Sequence, residues 1–70
     1  MKLADMRNLS DAELQTKLMD AREELMNLRF QFATGALTDF TRLRYARRNV
    51  ARFLTVISER EHVAMMEGEQ

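Results

Sequence analysis

Between Asp39 and Glu59 the chain carries no acid, and its basic residues there are five arginines and no lysine: Arg42, Arg44, Arg47, Arg48 and Arg52. Arginine docks phosphate through a planar, bidentate fork and stacks on exposed bases, whereas lysine suffices for solubility. On a helix turning about 100° per residue, Arg44, Arg48, Ala51 and Thr55 fall within about 60° of one another, with Arg47 and Arg52 flanking them. The centre of this group lies roughly 150° from the stripe formed by Leu43, Val50 and Ile57, so the basic face points away from an apolar core. Clustered like charges repel, and nothing in folding requires them here. The residue pattern therefore favours a polyanion ligand over the two alternatives, an acidic protein partner and a plain solvated face. The small residues Ala51 and Thr55 leave room for a phosphate backbone to approach. RNA fits better than DNA, because a single helix wedged among folded phosphates needs no paired half-sites.

Other chemistries find little support. The chain has 70 residues, no cysteine and one histidine, His62, placed near the C-terminus. No thiolate, metal-ligand spacing or phosphate-cradling glycine loop is present in that sequence. Glu23 and Glu24 are adjacent, point to different sides of a helix and read as solubility residues. The expectation is a protein that is not an enzyme, with no cofactor, no metal, no small-molecule substrate and no membrane partner. The opening Met1-Lys2-Leu3-Ala4-Asp5 lacks the apolar stretch of a signal peptide, and no run approaches the ~18 apolar residues of a membrane span, so a soluble chain is expected.

The elements that position the arginines follow from the breaker residues. Ser10 and Glu13 form a capping box, Leu9 and Leu14 a hydrophobic staple around it, and Asp11 and Glu13 complement the dipole of the first turn. Gly35 suits the left-handed residue that ends a helix, and Thr38 or Asp39 can cap the next one. Two long helices joined so tightly must return antiparallel. Leu14, Leu18, Ala21, Leu25, Leu28 and Phe32 step as a heptad seam, matched by Leu43, Ala46, Val50, Phe53 or Leu54, and Ile57. Glu13 and Lys17 are spaced for an i,i+4 pair. A second strip, Met19, Met26 and Phe30 with Ala33 beside it, lies about 120° to 160° round from Leu14. A leading helix carrying Leu3 and Met6, with Leu9 behind it, can cover only one end of it. The predicted architecture is all-α: a short N-terminal helix plus a long antiparallel two-helix, coiled-coil-like hairpin. It forms a single helical-hairpin domain, 1–70, with helices over 2–8, 10–34 and 38–62 and a frayed tail over 63–70.

The run Asn27-Leu28-Arg29-Phe30-Gln31-Phe32-Ala33-Thr34-Gly35-Ala36-Leu37, followed by Arg47-Arg48-Asn49-Val50-Ala51-Arg52, resembles the universal family of large-subunit ribosomal protein number twenty-nine, in its bacterial form. The likeness covers roughly residues 2 to 60, and its specific feature is the order of the two motifs at a fixed distance. It implies a short helix followed by a helical hairpin, and a structural role in the large ribosomal subunit on the outer surface beside the peptide exit tunnel. Implied partners are large-subunit ribosomal RNA and the neighbouring ribosomal protein number twenty-three, with trigger factor or the signal recognition particle docking at that rim. Carried over by motif, Arg47, Arg48 and Arg52 contact RNA, and the wheel adds Arg44 and Thr55. Arg29, Gln31 and Thr34 match the family's turn motif and are further RNA candidates, while Met19, Met26 and Phe30 become a candidate surface for a neighbouring protein. The implied location is a ribosome in the cytoplasm, with an organellar ribosome as the alternative. Family members are expected to be net basic, whereas this chain has a net charge of +0 and ends in Glu67-Gly68-Glu69-Gln70. From the residues alone, the other reading is a homodimeric helical hairpin that forms a four-helix bundle and binds an acidic protein or RNA.

Overall fold

A computed structural model describes residues 1–68. Three helices make up this part: α1 (Leu3–Arg7), α2 (Asp11–Ala33) and α3 (Phe40–Gly68). The start of α2 is fixed by Ser10, whose Oγ accepts from the Glu13 backbone N–H at 3.2 Å. This is the main arm of the predicted cap, which satisfies one of the helix's orphan donors. At the other end Gly35 takes φ +81°, a conformation that costs a side-chain-bearing residue strain. The Gly35 N–H donates to the Phe32 carbonyl at 3.2 Å and the Leu37 N–H to the Gln31 carbonyl at 3.0 Å, closing the helix much as a Schellman turn does. The next helix begins behind Asp39, whose Oδ1 accepts from the Thr41 N–H at 2.9 Å.

The hairpin is antiparallel, and its core falls into two clusters. Leu14, Leu18 and Ala21 of α2 meet Phe53 and Val56 of α3 together with Met6 of α1. Nearer the turn, Leu25, Leu28 and Leu37 meet Leu43 and Ala46. Half-buried Val50 packs against both clusters.

The structure settles one open position of the expected seam and departs from the expected pattern elsewhere. Phe53 rather than Leu54 enters the core, and Val56 joins it although the heptad reading omits it. The reason is α1, which packs against α3, so α3 buries a stripe wide enough for two neighbours. Phe32, at the end of the α2 seam, stays half-exposed and meets Phe40 edge to face, with ring centroids 5.5 Å apart. The segment expected to fray from residue 63 is helical as far as Gly68, because no breaker intervenes; Glu69 and Gln70 lie outside the described residues. The predicted i,i+4 pair of Glu13 and Lys17 does not form.

Among the described residues, the ion pairs join elements instead. Arg60 Nη1 donates to Asp11 Oδ1 at 2.7 Å, while its Nη2 donates to the backbone carbonyls of Leu9 at 2.6 Å and Arg7 at 3.0 Å. Beside it Arg7 pairs with Glu59 at 3.2 Å. One arginine thus clasps the α1–α2 connection onto α3. No helix among the described residues is long and apolar enough to cross a membrane.

Candidate nucleic-acid interface

The arginines of α3 occupy two faces rather than one. Arg44, Arg47, Arg48 and Ala51 line a single shallow depression on the side of α3 away from α2. No acid lines it, so three guanidinium groups confront solvent together. The spacing responsible is i, i+3, i+4, which brings side chains from successive turns side by side, and Ala51 forms the small-residue floor anticipated for it.

Arg52 departs from this group. With Arg42, Tyr45 and Asn49 it lines a second groove, which Met1 and Glu24 of the opposite wall complete. The positions 42, 45, 49 and 52 trace an i, i+3, i+7, i+10 ribbon about 80° to 160° round the helix from Arg44, with Arg52 at the edge nearest Arg48. Only the tertiary fold shows that this ribbon borders α2 and the N-terminus. Sequence reading passed over Tyr45 and Asn49; the available signal was an aromatic and an amide at helical spacing between two arginines.

The remaining candidates are dispersed. Thr55 is exposed beside Ser58, Glu59 and His62, and its hydroxyl donates to the Ala51 carbonyl at 2.9 Å. That leaves Thr55 only lone pairs to offer, which a phosphate oxygen does not need. The Thr34 hydroxyl donates likewise to the Gln31 carbonyl at 3.1 Å, so it serves the turn. Gln31 borders a groove with Asp20, Glu23, Glu24 and Arg42, an acidic surrounding unsuited to phosphate. Glu23 and Glu24 both border this groove, and Glu24 alone also borders the Tyr45–Asn49 groove. Arg29 lies about 160° round α2 from Gln31, so the structure does not bring the turn-motif candidates together.

Met19, Met26 and Phe30 are each 70% exposed. The leading helix leaves them uncovered, since α1 docks on α3 and buries Met6 against Phe53 and Val56. Among the described residues no group of acids, histidine or cysteine is arranged to hold a metal ion.

A short leading helix, a hairpin core and an acid-free arginine face define a small all-α protein. Residues 4–60 match the model of the family described as Ribosomal L29 protein. The chain is 52% identical to large ribosomal subunit protein uL29 of Halalkalibacterium halodurans over 61 residues, 87% of this chain and 91% of that protein. It is also 52% identical over 61 residues to the proteins of the same name from Bacillus cytotoxicus and Bacillus mycoides, 92% of each being covered. The chain therefore belongs to the ribosomal L29 family, a family of structural ribosomal proteins and not of enzymes.

Proposed function

We propose that this chain is a structural constituent of the large ribosomal subunit and binds ribosomal RNA through the α3 face built by Arg44, Arg47 and Arg48. The observation that carries this reading is the acid-free depression those three arginines line on a molecule whose charges balance overall. Family membership supplies the setting, a bacterial-type ribosome in the cytoplasm. The motif resemblance supports a position at the rim of the peptide exit tunnel beside ribosomal protein number twenty-three, where trigger factor or the signal recognition particle would dock. The exposed strip of Met19, Met26 and Phe30 supports a protein neighbour on the α2 side, because an uncovered row of large apolar side chains is what such a contact uses. A four-helix homodimer gains less support, since the stripes it would use are buried inside the hairpin.

Sucrose-gradient fractionation of lysate tests the reading. The wild-type chain is expected with the large subunit after a moderate salt wash. The triple change Arg44→Glu, Arg47→Glu, Arg48→Glu is expected among free proteins with unaltered helical circular dichroism. With three arginine-phosphate contacts, binding to isolated ribosomal RNA should fall with salt at a log-log slope of about −2 to −3. A slope near zero, or a wild-type chain that stays with the free proteins, overturns the proposal.

A further inference from the structure

The groove on the other side of α3 has the make-up of a base site rather than a phosphate site. It encloses about 270 Å³ between α3, Glu24 of α2 and Met1. Its floor holds Asn49, half-buried, whose Oδ1 is shielded from solvent and finds no hydrogen-bond donor. A buried acceptor without a partner is costly, and the cost is removed once the amide meets an incoming N–H. Beside it stands Tyr45, 64% exposed, the one tyrosine of a chain without tryptophan. The unsatisfied amide does not help the fold, since a buried polar atom without a partner costs free energy, and the exposed ring adds nothing to the core.

From this juxtaposition we propose that the Tyr45–Asn49 groove captures an unpaired RNA base. The base stacks on the Tyr45 ring, and the Asn49 side chain turns its shielded amide outward so that Oδ1 accepts an N–H from the base edge, while Arg42 and Arg52 hold the flanking phosphates. Those two arginines are ten residues apart, about 15 Å along the helix, which leaves the space between them for the base and its sugar. Glu24 accounts for what enters the middle of the groove. Its carboxylate repels a phosphate there, and it accepts hydrogen bonds from a neutral base edge. Stacking an unstacked base on an aromatic ring while arginines track the backbone is a general mode of RNA recognition. The inference rests on the proposed RNA binding and adds to it a second contact face, distinct from the Arg44, Arg47 and Arg48 depression.

The test is chemical probing of ribosomal RNA in large subunits from cells that carry each variant as the sole copy. Dimethyl sulfate reads the pairing edges of adenine and cytosine, and a carbodiimide reads those of uracil and guanine. With the wild-type chain one unpaired base is expected to be protected. Tyr45→Ala and Asn49→Ala should each raise its reactivity, by about fivefold or more for Tyr45→Ala, the loss that one base-aromatic stack implies. Tyr45→Phe, which keeps the ring, should leave it protected. If Tyr45→Ala leaves the subunit altogether while Tyr45→Phe stays, stacking is again supported; loss of both overturns it. Subunits that retain every variant with an unchanged pattern overturn the base site and leave the arginine face standing. A wild-type chain that does not sediment with the large subunit overturns both.

Discussion

Asp39 shows how one exposed side chain sets a boundary of the functional helix. The Thr41 backbone N–H donates to its carboxylate, and this bond, followed by the Thr41 hydroxyl and a smaller attraction from Arg42, holds its pKa below the usual carboxylate range. A group whose pKa is depressed on folding contributes stability that is present above its unfolded pKa of about 3.9 and lost as pH falls through the lower folded value. Acidification below about pH 4 should therefore loosen the first turn of α3, read as faster amide exchange at Thr41 relative to mid-helix amides. Asp39→Asn keeps an acceptor without the charge and should flatten that dependence; an unchanged profile would show that Asp39 is not the cap. Met6 is the counterpart in the core. It is the most deeply buried side chain of α1, 0% exposed, and Met6→Ala should cost about 2–5 kcal/mol. For a domain this small that is a large share of its stability, so the urea midpoint should fall steeply and α1 should undock.

At the level of elements, what the sequence made legible was whatever depends on local chemistry. Ser10, Gly35 and Asp39 mark their boundaries with caps and a left-handed turn, and the Leu14 to Leu28 seam follows from heptad spacing alone. What stayed hidden depends on which third element arrives. Val56 is buried only because α1 lies on α3, and Arg52 parts from Arg44, Arg47 and Arg48 only because Met1 and Glu24 form a wall beside it. The extension of α3 to Gly68 was masked by reading loss of amphipathic pattern as loss of helix, although residues 63 to 67 include no strong breaker. The Arg60 clasp was likewise invisible, since its partners lie some fifty residues away. Its energetics are predictable. Asp11 is 89% exposed, so that ion pair contributes at most about 1 kcal/mol, whereas the charge-assisted bonds to the Leu9 and Arg7 carbonyls contribute more. Asp11→Asn should thus shift the urea midpoint slightly, and Arg60→Ala should cost about 1–3 kcal/mol and release amide protection in α1. Equal effects from the two changes would mean that the ion pair, not the carbonyl contacts, holds the connection.

The whole molecule is a rod of 53 × 19 × 17 Å with its apolar interior in two cells along the axis. The cell nearer α1 holds the four largest fully buried side chains, Phe53, Met6, Leu14 and Val56. The cell nearer the turn is built from leucines and an alanine, each slightly exposed, and Val50 is the side chain that packs against both. Such a core should open from the turn end first, because less apolar area is removed from water there. The arginines of the proposed RNA face, Arg44 to Arg48, lie on that less stable half, beside Leu43 and Ala46. A ligand that binds only the folded form stabilises what it touches, so RNA bound to this face should tighten the half that most needs it. Val50→Ala separates the two cells at a cost of about 1 kcal/mol for a half-buried side chain. In the free protein its amide protection should fall mainly in residues 22 to 48 and only slightly around Leu14 and Phe53. Adding large-subunit ribosomal RNA should restore protection in the turn half. A uniform loss across both helices, or a recovery confined to the α1 end, would show instead that the rod unfolds as a single cell and that the arginine face lies on no weaker half.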